Sequence, residues 1–182
     1  MSLNEEMRLL KEIPLFAEID ESKLKLIAFI SQRLRYQPGE QAIVEGDQTD
    51  SIYVIISGEA DVEINTDNGP LKVAAIGKHG IFGEIGVLCE VPRTASIVAS
   101  TELEVLRIDK AMFLQLLADF PAVARVIMYE LGMRLARANK FISKVPRDQA
   151  ETIMESLNIN LGGRSGRVGN QDEQQDEQPE QN

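Results

Sequence analysis

The chain has 182 residues, a hydrophobic content of 43% and a net charge of −10 at pH 7. That length suits one core-bearing domain with attachments, and the excess of acid argues against a nucleic-acid-binding surface. No apolar run approaches the ~20 residues of a membrane-spanning helix, the start MSLNEEMRLLKEI has no signal-type apolar stretch, and the lone cysteine, Cys89, excludes an internal disulfide, so a cytoplasmic protein without a membrane partner is expected.

Residues 3–12 read as a short amphipathic helix with Leu3, Met7 and Leu10 on one face. Pro14 and Phe16 interrupt it, and Asp20 is placed to cap a second helix running to about Arg33, with Leu24, Ile27 and Ala28 inward and Leu26, Phe29 and Ile30 widening the stripe. From Tyr36 the pattern becomes short strands separated by Pro38-Gly39, Gly46-Asp47, Gly58-Glu59, Asn68-Gly69-Pro70 and Gly77 to Gly80. The strands read as 51–57, 60–65, 71–76, 94–100 and 103–109, and Ala60, Val62 and Ile64 alternate with Asp61, Glu63 and Asn65. Such spacing predicts an antiparallel sandwich or roll. Asp109 is placed to cap a helix over 110–118, and Pro121 opens a longer one. There Ala124, Ile127, Leu131, Leu135, Ala138 and Ile142 form a stripe, which either packs on the roll or seams a dimer. Pro146 ends that pattern, 148–158 reads as one more short helix, and beyond Leu161 an acidic, Gln-rich tail with Asp172, Glu173, Asp176, Glu177 and Glu180 reads as disordered.

The chemistry-bearing segment is 82–99, FGEIGVLCEVPRTASIVA. Gly83 and Gly86 let backbone N–H groups approach an anion, and a helical turn opened by Glu84 would aim unpaired N–H groups the same way. Arg93 supplies a planar, permanently charged fork for phosphate oxygens. Glu84 would repel a phosphate, but it suits a hydroxyl donor beside one. Taken alone, an acid and an arginine nine residues apart read more often as a surface ion pair than as a phosphate site. The single histidine, His79, lies in a Gly-Lys-His-Gly turn and reads as solvated, which leaves no ligand set for a metal. Cys89 reads as a small, part-buried apolar residue.

The complete string resembles the phosphate-binding cassette of cyclic nucleotide-binding domains through Phe82, Gly83, Glu84, Ile85, Gly86, Leu88, Pro92, Arg93, Thr94, Ala95, Ser96 and Ile97. The lead-in IPLFAEIDESKLKLIA and the stretch GEQAIVEGDQTDSIYVIISGEADVEI are also similar to that family, so the resemblance covers roughly residues 10–140. It implies a mainly β fold with flanking helices: a helical lead-in (1–35), an antiparallel, jelly-roll-like β-roll (36–109), C-terminal lid or dimer helices (110–145), a short helix or linker (146–161) and an acidic tail (162–182). It further implies that Arg93 meets the exocyclic oxygens of a cyclic phosphate and Glu84 the ribose 2′-hydroxyl. Backbone N–H groups at Gly83, Ile85, Gly86, Thr94 and Ala95 would complete the cradle, with Val62, Val73 and Phe82 as apolar walls. A hydroxyl such as that of Thr94 is found in both cGMP-preferring and cAMP-binding members of that family, so the resemblance favours cAMP over cGMP only modestly. The lid would be the helix bearing Arg134, Arg137 and Phe141, and the same helix, 121–144, would join a homodimer.

The resulting expectation is a non-enzymatic sensor without cofactor that binds a cyclic nucleotide and signals to a separate effector polypeptide. No helix-turn-helix pattern is seen after residue 145. The alternative is a degenerate scaffold of the same fold that binds no nucleotide. Arg93→Ala is expected to abolish binding and leave the fold intact.

Overall fold

The structure, a computed structural model, describes residues 3–142, and the expectations for 146–161 and 162–182 fall outside them. The chain divides into two units, Met1–Arg134 and Leu135–Asn182. Helices α1 (Leu3–Glu12) and α2 (Glu21–Ile30) flank a 3-10 turn at Pro14–Phe16. As expected, Asp20 caps α2: its Oδ1 accepts from the Lys23 backbone N–H at 3.0 Å. The α2 stripe is narrower than its sequence suggests, because Leu24 and Ile27 are buried while Leu26 and Phe29 are exposed.

Helix α2 also stops earlier than Arg33. Ser31 turns extended, its N–H bonded to the Ile27 carbonyl, and a strand unmarked by hydrophobic alternation follows, β1 (Gln32–Tyr36). Leu34 is its one aliphatic residue; Arg33 and Arg35 instead share the Glu104 carboxylate, each with Nε at 2.8 Å from Oε1. The repeat of two is present in charge, where a search for apolar residues misses it.

Seven further strands follow: β2 (Gln41–Ile43), β3 (Ser51–Ser57), β4 (Ala60–Thr66), β5 (Gly69–Ile76), β6 (Ile81–Phe82), β7 (Ser96–Ala99) and β8 (Leu103–Asp109). They make two four-stranded antiparallel sheets in the orders β1-β8-β3-β6 and β2-β7-β4-β5, the two layers of a β-roll. Strand β3 is almost continuously apolar because both its faces are covered. Tyr53 and Ile55 point into the roll with Ile43, Phe82, Ile97, Leu103 and Val105. Ile52 and Val54 join the helical core of Phe16, Leu24, Ile27, Phe113 and Ile127. Strand β8 alternates in the same way, Val105 inward and Leu106 and Ile108 toward the helices.

Helix α3 (Glu84–Cys89) interrupts the strands, and α4 (Lys110–Asp119) and α5 (Pro121–Ile142) follow them. Asp109 precedes α4, but its side chain makes no capping bond, because its Oδ1 accepts from Arg107 at 2.8 Å. In the first unit α5 buries Val123 and Ile127 and packs Leu131 on the core. In the second unit Leu135 is exposed, so the stripe read from the sequence is not uniformly a packed face. Among the described residues no single helix is long and apolar enough to cross a membrane; α4 and α5 reach that measure only together, across a 110° bend.

Candidate functional site

The cassette begins at Gly83, whose φ of +82° favours glycine. A Cβ there would also lie 2.6 Å from Arg93 Nη1, so Gly83 serves both the turn and the arginine. Gly86 has a packing task that its sequence does not suggest: a Cβ would meet Thr49 Oγ1 at 2.3 Å, so its absence lets α3 pack on the 44–50 loop. Thr49 in turn donates to the Val91 carbonyl at 2.9 Å. Arg93 is fixed through its backbone, its N–H bonded to the Asp47 carbonyl at 2.8 Å and its carbonyl accepting from Gly46 N–H at 2.8 Å.

The Arg93 side chain is buried. Its Nη1 donates to the carbonyls of Ser51, at 2.8 Å, and Gly83, at 3.1 Å. Nη2 is held more loosely, 3.3 Å from Ser51 Oγ and 3.4 Å from Asp50 Oδ1. The guanidinium lies 5.8 Å from the centre of the Tyr53 ring, which stacks on Phe82 at 5.0 Å. Burial pulls the Arg93 pKa down, against its favourable interactions with the Tyr53 phenol and the Asp50 carboxylate.

Glu84 is 2% exposed, an unusual position for a carboxylate. Its Oε1 accepts from Arg134 Nη1 of α5 at 2.6 Å, and Arg134 Nη2 donates to the Ile81 carbonyl. Its Oε2 is buried and meets no donor of the described residues. A buried acceptor without a donor is costly. Desolvation raises the Glu84 pKa, and the Arg134 charge opposes that rise. Because the folded pKa is raised, the folded state binds the proton more tightly than the unfolded chain does. That contribution to stability is full below the ordinary carboxylate range and is lost as pH rises through the raised pKa. Glu84→Gln, which cannot ionise, is expected to flatten this dependence; the readout is unfolding midpoint against pH for both proteins, and identical profiles would contradict it.

The other residues singled out by sequence are placed as follows. Phe82 is 1% exposed and supports Tyr53 from within the core, so it is not an open wall. Ile85 and Thr94 are exposed, and Ala95 is half-buried. Val62 is half-buried on β4, and Val73 is 50% exposed on the edge strand β5. The β4–β5 register skips Val73 where Val62 pairs with Ala74 and Glu63 with Lys72; such an irregularity turns a side chain away from regular alternation. Cys89 is exposed, contrary to the part-buried position expected. His79, read as solvated, is half-buried in its turn with φ +66°.

Sequence reasoning missed Asp50, Ser51, Tyr53 and Arg107. Arg107 Nη2 bonds Asp50 Oδ2 at 2.8 Å. These groups meet because β3 pairs with β8 in a register that sets Ser51 opposite Asp109 and Tyr53 opposite Arg107. No local motif encodes that register.

A buried arginine fork beside a carboxylate with one unused oxygen suits a ligand that carries an anion and a hydroxyl close together. Comparison with known proteins gives this arrangement a family. The family model described as the cyclic nucleotide-binding domain matches residues 33–120. The cAMP-dependent protein kinase regulatory subunit of Aspergillus niger is 36% identical over 121 residues, which are 66% of this chain and 29% of that protein. The catabolite activator protein of Thermus thermophilus superposes with a TM-score of 0.62 at 28% identity, over 71% of this chain and 62% of its own. A cyclic nucleotide-binding-like protein from Brucella abortus does so with a TM-score of 0.52 at 29% identity, over 63% of this chain and 98% of its own. The chain thus spans well under two thirds of the Aspergillus relative. Its residues 33–120 belong to the cyclic nucleotide-binding domain family.

Proposed function

We propose that this protein is a sensor that binds a cyclic nucleotide at the cassette and passes occupancy through α5 to a separate effector. The observation that carries the proposal is Glu84, buried, with Oε1 held by Arg134 and Oε2 without a donor among the described residues. The ribose 2′-hydroxyl is the donor that Oε2 lacks. Arg93 would turn its loosely held Nη2 to the exocyclic phosphate oxygens, exchanging contacts of 3.3 and 3.4 Å for charge-assisted bonds. Backbone N–H groups of Gly83, Ile85, Gly86, Thr94 and Ala95 would add donors, with Val62 and Val73 beside the base. Phe82 acts from below, through Tyr53.

One carboxylate then joins ligand and helix. A hydroxyl on Oε2 orders Glu84, and the ordered carboxylate holds Arg134 and the α5 turn that bears it. A ligand moves that equilibrium only by its differential affinity for the two arrangements. The reading is non-catalytic, requires no cofactor and fits a cytoplasmic setting. The kinase regulatory subunits among its relatives, named for cAMP dependence, support cAMP over cGMP and a polypeptide effector. A homodimer through 121–144 belongs to the same proposal, since Met128 and Tyr129 of α5 are 65% and 64% exposed.

The test is thermal. At about a hundred times its dissociation constant, a ligand of the native state stabilises by about 2.7 kcal/mol, worth about 5–10 °C for a chain of this size. We expect that shift with cAMP, a smaller one with equal cGMP, and greater amide-exchange protection in α5. A flat melting temperature with both would favour the second reading, a scaffold that binds no nucleotide. The inward bonding of Arg93 Nη1 is the observation on that side.

A further inference from the structure

Arg93 is not the only guanidinium on Asp50. The carboxylate is shared: Oδ1 accepts from Ser51 Oγ at 2.7 Å and, distantly, from Arg93 Nη2 at 3.4 Å, while Oδ2 accepts from Arg107 Nη2 at 2.8 Å. Arg107 also binds Asp109 Oδ1 at 2.8 Å and reaches Gln32 Oε1 at 3.4 Å. The better-made bond to Asp50 therefore belongs to Arg107. Two arginines and two aspartates leave this cluster electrically balanced.

We propose that Arg107 is a positioning residue for anion binding, holding the Asp50 carboxylate so that it does not close on Arg93. Resting on the cassette reading above, it concerns how readily Arg93 is released to a phosphate. Without Arg107, Asp50 has Arg93 as its only guanidinium partner among the described residues, and the cluster facing the phosphate becomes net negative. The ligand must then break a tighter ion pair against a less favourable field. The effect is modest, because the Asp50 side chain is 67% exposed and solvent screens it.

The test uses the full chain and four variants. Arg107→Gln is expected to weaken cAMP affinity by about two- to fivefold, the range of an exposed ion pair. Arg107→Lys, which keeps a charge for Asp50, should stay near wild type. Adding Asp50→Asn to Arg107→Gln should restore affinity, whereas adding Asp109→Asn should not. Equal rescue by the two asparagines would overturn the proposal, because net charge alone would then explain the effect. Unchanged affinity in Arg107→Gln would overturn it as well. A second readout needs no nucleotide: solvent exchange of the Arg93 guanidinium protons, followed by NMR, should slow in Arg107→Gln as Asp50 closes on it. Exchange that does not slow overturns the proposal. If wild type binds no cyclic nucleotide, the functional reading falls, and this exchange still decides whether Asp50 is shared.

Discussion

Arg93→Ala is expected to lower cyclic nucleotide affinity by at least about a hundredfold. Two charge-assisted hydrogen bonds to phosphate, at about 1.5–3 kcal/mol each, set that floor. The same substitution is expected to destabilise the fold, which corrects the expectation from sequence that it would not. Arg93 is buried, and its Nη1 is the donor for two main-chain carbonyls, Ser51 and Gly83. A carbonyl left buried without a donor costs about 1–3 kcal/mol. Water entering the space left by the side chain would recover part of that. Arg93→Lys keeps a charge and a donor while losing the planar fork, so it should retain more stability than affinity. Calorimetric titration and urea unfolding of the same preparations separate the two effects. Undiminished affinity in Arg93→Ala would remove the arginine from the binding site, and undiminished stability would remove it from the core.

The second large effect is expected at Arg134. Its guanidinium supplies the main opposition to the desolvation of Glu84, and Arg134→Ala leaves that carboxylate charged without a partner. Breaking a fully buried pair costs about 3–5 kcal/mol. Arg134 is itself 30% exposed, so about 2–3 kcal/mol at neutral pH is the better figure after solvent screening. The loss should shrink toward acidic pH, where Glu84 takes up a proton and no longer needs the cation. Glu84→Gln in the Arg134→Ala background should recover most of the stability, because the buried charge is gone from both. Denaturant melts of the two single variants and the double variant complete the cycle; additive losses would show that the two side chains act separately. Under the proposed relay, Arg134→Ala should also let nucleotide bind without protecting α5 from amide exchange. Protection equal to wild type would mean that the signal takes another route.

The β-roll was legible because its strands are short, punctuated by glycine turns and largely alternating. Strand β1 was not, since arginines on Glu104 replace apolar residues there. The exposure of Leu26 and Phe29 was equally hidden: helical periodicity bounds an apolar stripe, while only the neighbours α2 meets determine how much of it is covered. In the cassette, Gly83, Glu84 and Arg93 stood out as residue types suited to an anion and a hydroxyl. The packing role of Gly86 did not stand out, because Thr49, whose side chain takes the space, lies 37 residues earlier.

The resemblance to one family, and the chemistry that one continuous segment can carry, were readable from residue order, since local turns, helix starts and residue types are all written within that segment. Which groups face Arg93 and Glu84 was set by the folded chain. Their partners Ser51, Asp50 and Arg134 come from β3, the loop before it and α5, brought together by strand register and helix packing. Those long-range choices depend on burial of apolar faces across the whole roll, which no spacing inside the cassette records.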